Sequence, residues 1–162
     1  MAASNKTKKM FMWGCFIAYL LFLSYLLFFS SYFGRTEHGE DEYRYNLTLF
    51  QEIGRYVRFG MRTGSWYLFI INVCGNVAVF VPVGMFLPRL IERCKNIFLT
   101  MLISLELSLF AEVTQLVSRV GSFDVDDLLL NTLGGVCGYG IYMICKYGHK
   151  KSRNTKAKKT KE

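Results

Sequence analysis

Three stretches of the chain carry no charge at all: Met10 to Phe33 (24 residues), Trp66 to Leu87 (22 residues) and Leu128 to Cys145 (18 residues). A helix crosses the hydrocarbon core of a bilayer in about 20 apolar residues, with a range of roughly 17–25. All three stretches meet that length. A fourth, Ile97 to Val117, is apolar apart from Glu106, Glu112, Gln115 and a few hydroxyl residues. It reads as a fourth span that carries function. Inside lipid every backbone N–H and C=O must be satisfied within the protein, so spans of this length are helices. The expected fold is an all-α integral membrane protein, a four-helix transmembrane bundle with spans at 10–33, 66–88, 97–117 and 128–145. The first span reads as an uncleaved helix rather than a signal peptide. Its apolar run exceeds the usual core of roughly 7–15 residues, and no A-x-A site follows.

Charge position then sets the topology. Ahead of span 1, between spans 2 and 3, and after span 4 lie 14 basic and 2 acidic residues, a net of +12. The rest of the chain holds 6 basic and 10 acidic residues, a net of −4, which leaves +8 overall. The positive-inside bias puts both termini in the cytoplasm of a multi-pass cell-membrane protein. The organisation is a basic N-terminus (1–9), a transmembrane domain (10–145) and a basic tail (146–162) that composition marks as an unstructured topology anchor. With 14 Phe and 10 Tyr the chain is no disordered basic protein, and its uncharged runs do not suit a soluble nucleic-acid binder. No nucleic-acid partner is expected. The five cysteines show no C-x-x-C spacing, and none falls in an outer loop by this topology. A disulfide framework and a zinc site are not expected, and packed or inert thiols fit better.

Two loops then face outward, Gly34 to Ser65 and Ser118 to Asp127. In the first, Leu49, Phe50, Ile53, Tyr56, Val57 and Met61 recur at helical spacing, with Arg55, Arg58 and Arg62 on another face. This predicts a short amphipathic helix in the outer interface. Its arginines either grip phosphates by paired hydrogen bonds or snorkel to headgroups. Asn46-Leu47-Thr48 matches a glycosylation sequon, a weak signal alone.

Ionisable groups inside a span cost about 2.5–3.5 kcal/mol on insertion scales and mark function by default. By helical rise, Glu112 and Gln115 lie near the outer end of span 3 and share a face. Asn72 and Asn76 are i, i+4 neighbours in the outer half of span 2. Asp124 and Asp127 precede span 4, and Asn131 is one turn past Asp127. These residues come from three helices and one short loop at a similar depth, which points to a polar pocket open to the extracytoplasmic side. There Glu112, Asp124, Asp126 and Asp127 suit acid or base work, or would hold a divalent cation. No metal or other cofactor is assigned. Asn72 and Glu106, the latter near the midplane, read instead as interhelical hydrogen-bonding groups. Pro82 and Pro88 are expected to kink or end span 2. Gly134 and Gly138 form a G-x-x-x-G pair that Gly135 and Gly140 widen. Gly121 and Ser122 read as turn residues.

The same residues carry a family resemblance. Asn76 to Gly84 (NVAVFVPVG), Glu112 to Gln115 (EVTQ), Gly121 to Asp127 (GSFDVDD) and Asn131 to Gly135 (NTLGG) follow in order and spacing, preceded by Asn46, Leu47 and Phe50. Together they resemble the VanZ-like family of bacterial membrane proteins, over roughly residues 46–142. The charged insert at Arg35 to Arg44 and the Lys-rich tail have no counterpart in the pattern. The resemblance implies an integral membrane protein associated with resistance to the glycopeptide teicoplanin, and action on lipid head groups or polyprenyl-linked cell-wall precursors.

Glu112, Asp124 and Asp127 are thus expected to be the acid/base or cation-binding groups of an outer-leaflet lipid site. Asn76, Gln115 and Asn131 orient them, and Arg119 binds a head-group phosphate. The rival is a non-enzymatic protein that binds a wall precursor, an antibiotic or a wall-synthesis partner. A transporter fits less well, because four short spans show no inverted repeat.

Overall fold

A computed structural model describes residues 2–29, 44–119 and 121–159, with side chains for 6–26, 44–119 and 121–148. The loop expected from Gly34, and its charged insert at Arg35 to Arg44, lie outside the described residues as far as position 43. The elements are α1 (Ala2–Phe29), a two-residue strand β1 (Tyr45–Asn46), α2 (Gln51–Thr63), α3 (Tyr67–Leu90), a 3₁₀ turn (Glu92–Lys95), α4 (Ile97–Val117), β2 (Phe123–Asp124) and α5 (Val125–Lys159). The chain is an all-α membrane bundle. Among the described residues four helices are long and apolar enough to cross a bilayer: Lys6–Leu26, Tyr67–Leu90, Ile97–Val117 and Val125–Gly148. Their outward faces are large and apolar, with Phe11, Leu21, Ile70, Phe98, Phe110 and Ile144 all exposed, as a lipid-facing surface requires.

The bundle is organised around α5, which packs closely on both α3 and α4. Close approach needs small residues, and the predicted G-x-x-x-G stripe supplies them. A Cβ at Gly134 would run into the Val77 carbonyl, and one at Gly138 into the Val81 carbonyl, both on α3. Gly84 of α3 answers from the other side, where a Cβ would meet the Gly135 carbonyl. Gly135 also faces the Ser104 hydroxyl of α4. Gly140 faces open space and does not belong to the stripe. It is two residues on from Gly138, on the opposite side of the helix. On α4 the buried face repeats every four residues as Thr100, Ser104, Ser108 and Glu112. The small hydroxyls allow the close packing, and Ser104 satisfies itself by donating to the Thr100 carbonyl (2.9 Å).

α1 lies against α3 through an apolar cluster that joins Phe16 and Leu23 to Phe80, Val83, Leu87, Leu90 and Cys94. The Tyr19 hydroxyl donates to the Val79 carbonyl of α3. Both prolines of span 2 sit inside α3, which ends at Leu90, two residues past Pro88. Neither breaks it. Neighbouring helices and side chains re-satisfy a backbone that proline leaves open. The irregularity in α3 is instead a π-helical turn, Ile70–Cys74.

Asn72, within that turn, is not the interhelical hydrogen-bonding group expected from the sequence. Asn76 is buried, whereas Asn72 donates to the Leu68 carbonyl of its own helix (2.8 Å). Glu106 is also no interhelical link, since it is exposed on α4. It falls two residues from both Ser104 and Ser108, about 200° around the helix from the buried face. Nor does the tail read as predicted. α5 continues helical to Lys159, because no proline or glycine follows Gly148 and Lys, Arg and Ala sustain a helix already begun. Of the cysteines in the described structure, Cys94 is buried and Cys74, Cys137 and Cys145 are exposed.

Candidate functional site

At one end of the bundle the chain between α4 and α5 turns back through Arg119, whose φ of 57° is left-handed. Phe123 and Asp124 then pair in parallel with Tyr45 and Asn46. This two-residue bridge ties the segment ahead of α2 to the start of α5. It is built from side chains as much as from backbone. The Asn46 amide donates to Asp124 Oδ1 (3.2 Å), and the same oxygen accepts from the Asp126 N–H (2.8 Å). Asn46 Oδ1 in turn accepts from the Thr48 N–H (3.0 Å). The asparagine of the sequon is thus engaged at both ends of its side chain.

Asp126 does a different job from its neighbours. It is almost fully buried, at 1% exposure, and its carboxylate accepts from the N–H groups of Phe50 (2.5 Å), Glu52 (3.0 Å) and Ile53 (3.2 Å). It caps α2 from another element. α2 offers no cap of its own, since Phe50 at its N-cap is left-handed at φ 64° and makes no side-chain cap bond. A carboxylate on the positive end of a helix is favoured by both hydrogen bonding and the helix dipole. The sequence reading grouped Asp126 with the acid/base candidates, but here it holds α2 in place. At its other end α2 stops at Gly64, left-handed at φ 74°, whose N–H reaches the Gly60 carbonyl (2.8 Å). Gly60 is buried under the Trp66 ring. Ile53, Tyr56 and Val57 are half-buried, while Leu49, Phe50 and Met61 of the predicted apolar face are exposed.

α2 therefore lies over the end of the bundle where the remaining carboxylates gather. Glu112 Oε2 accepts from the Asp124 N–H (2.9 Å). The Asn76 amide donates to Asp127 Oδ1. One turn further into the bundle, the Asn131 amide donates to Ser108 Oγ (2.9 Å). Glu112 and Asp127 act on each other electrostatically, as do Asp127 and Asp124. Glu112 (3%), Gln115 (8%), Asp124 (7%), Asn76 (5%) and Asn131 (2%) are all buried. Burial pushes the Asp124 carboxyl up to about 6, against the opposing pull of the bonds from Asp126 and Asn46. At that value it changes charge near neutral pH, as an acid/base group must.

The structure thus brings together Glu112, Asp124, Asp127, Asn76 and Asn131, with Gln115 buried on the same face of α4 as Glu112. Arg119 is exposed on the loop. On the α2 side the cluster meets groups that periodicity did not single out as a set. Arg55 pairs with Glu52 and places its guanidinium 5.2 Å over the Tyr56 ring, with Nη2 3.4 Å from the Tyr56 hydroxyl. Burial raises the Tyr56 hydroxyl pKa, Arg55 offsets this, and Glu52 and Asp127 add to it. Tyr56 is therefore within electrostatic reach of Asp127. Its helical spacing marks it only as apolar, and Ser108 reads only as a small helix residue. Neither carries a signal short of the folded structure. Among the described residues no three His, Cys, Asp or Glu side chains converge as metal ligands would.

These features define a polytopic helical membrane protein with a buried carboxylate and carboxamide cluster under the amphipathic helix α2. The chain belongs to the VanZ/LLP1 family, whose model matches residues 16–146. No curated protein and no solved structure matches it.

Proposed function

We propose that this VanZ-like membrane protein acts at the outer leaflet of the cell membrane on a lipid head group or a lipid-linked cell-wall precursor. Through that action it contributes to glycopeptide resistance. The observation that carries this reading is the gathering of Glu112, Asp124 and Asp127 with Asn76 and Asn131, from α3, α4, α5 and one loop, beneath an amphipathic helix. A buried group of carboxylates at the membrane interface is costly, and such groups are functional by default. Asp127 and Glu112 serve as acid and base. Asn76 orients Asp127, and Asp124 ties Glu112 to the loop. Arg55, exposed at the rim beside Tyr56, suits a phosphate on the entering head group, as does Arg119, exposed on the loop between α4 and α5.

The reading requires the α2 end to face outward, with both termini in the cytoplasm. Cysteines introduced at Gly64 and Lys156 test this. An impermeant thiol reagent should label the first in intact cells and the second only after lysis. For the chemistry, Glu112→Gln and Asp127→Asn at matched expression should each change lipid composition and teicoplanin susceptibility. Unchanged lipids and susceptibility in both variants would refute the site. Turnover of a labelled lipid carrier by purified protein separates catalysis from stoichiometric binding.

A further inference from the structure

One buried polar atom among the described side chains lacks a partner: Asn131 Oδ1. Its residue is 2% exposed, and the other end of the same amide is taken up by Ser108. A buried acceptor left unmade costs about 1–3 kcal/mol, so such an atom marks a place where something else binds. Its direction follows from helix geometry. Helical side chains lean toward the N-terminus of their own helix. The N-terminus of α5 is the carboxylate end, so Asn131 leans toward Asp127, one turn above. α4 runs the opposite way, so Glu112 leans toward Ser108, the partner of Asn131. The orphan oxygen therefore lies on the side of the carboxylate cluster, beside Ser108 and one turn below Asp127. An anion would be repelled there, whereas a hydrogen-bond donor would be held.

We propose that Asn131 is the residue that reads the head group: its side-chain carbonyl accepts a hydrogen bond from a hydroxyl or ammonium group that lies beyond the lipid phosphate. The phosphate itself stays at the rim with Arg55, and the donor-bearing end reaches past Asp127 to Asn131. This rests on the lipid-site reading above and adds the chemistry of the group recognised. Hydroxyl and ammonium are two sources of the same donor, and the test distinguishes them.

The purified full-length protein is compared in binding to three lipids by native mass spectrometry. Phosphatidylethanolamine offers an ammonium donor, phosphatidylglycerol offers hydroxyl donors, and phosphatidylcholine offers neither. One net hydrogen bond of about 1–1.5 kcal/mol corresponds to a preference of roughly five- to tenfold. The wild type should prefer one of the donor-bearing lipids over phosphatidylcholine by that factor, and which one identifies the donor. Asn131→Leu should abolish the preference, while Asn131→Asp, which keeps the acceptor, should retain it. A wild type without preference overturns the proposal, as does a preference that survives in Asn131→Leu. A more stable Asn131→Leu protein with unchanged preference would show that the oxygen holds a structural water only, which also overturns it. If Asn131→Leu does not fold, the outcome rests on Asn131→Asp, whose loss of preference overturns the proposal equally. Lipid changes caused by Glu112→Gln with no donor preference in the wild type would leave the site standing and remove only the role of Asn131.

Discussion

Replacing Asp126 with Ala should release α2 while leaving the transmembrane bundle folded. The carboxylate accepts from three N–H groups at the start of α2, and no local side chain replaces it. Hydrogen bonds to a charged group contribute about 1.5–3 kcal/mol each in mutational series. The three here share two oxygens, and Phe50 is exposed enough for water to take over its bond. Counting the two half-buried donors at the low end gives about 3 kcal/mol, to which the helix dipole adds at most ~1 kcal/mol. Water reaching the freed N–H groups returns part of this, so a net loss of about 2–3 kcal/mol is expected. The loss falls on α2 alone, because α2 touches α5 only lightly and is held in its left-handed entry at Phe50 by this cap. Hydrogen exchange followed by mass spectrometry reads it directly. Amides of residues 51–63 should exchange roughly 30- to 150-fold faster, at tenfold per about 1.4 kcal/mol. Amides of α3, α4 and α5 should be unchanged. Asp126→Asn, which keeps one acceptor oxygen, should fall between. Unaltered protection of α2 in Asp126→Ala would refute the cap, and uniform loss across the bundle would refute its confinement to α2.

The glycine seam gives a second test. Gly84→Ala places a methyl against the Gly135 carbonyl and should cost about 3 kcal/mol or more, whereas Gly140→Ala meets open space and should be neutral or slightly stabilising; thermal unfolding in detergent ranks the two. The Asp124 carboxyl, raised to about 6 from an ordinary value near 3.8, favours the fold in its protonated form. Its contribution is fully present below about pH 4 and is lost as pH rises through about 6. The unfolding temperature of Asp124→Asn should therefore lack that part of the fall between pH 4 and pH 6, measured against the wild type in the same detergent. Tyr19→Phe removes the hydroxyl that reaches the Val79 carbonyl and should lower stability by about 0.6–1 kcal/mol, in the range measured for hydrogen bonds within membranes.

Much of this architecture follows from one-dimensional quantities. Span number and length depend on runs of uncharged residues, because the bilayer admits only backbone that satisfies its own hydrogen bonds. The amphipathic helix α2 depends on a period, and the close α3–α5 contact depends on where side chains are missing. The common level of Glu112, Gln115, Asp124, Asp127 and Asn131 follows from helical rise alone. Depth is additive along a helix, so counting residues suffices for it. Side-chain partners are not additive. Asn72 and Asn76 are four residues apart, yet Asn72 bonds back to Leu68 of its own helix while Asn76 reaches Asp127 of α5. Nor does composition say which side of α4 is buried. That choice left Glu106 outside and put Ser108 within reach of Asn131. The division of labour among three adjacent aspartates was likewise decided only in three dimensions. The Asp127 carboxylate accepts from Asn76 and the Asp124 carboxylate from Asn46 and the Asp126 N–H, while Asp126 points to the N–H groups of a helix more than seventy residues earlier in the sequence. A carboxylate takes its role from the donors that surround it, and those donors arrive from segments distant along the chain.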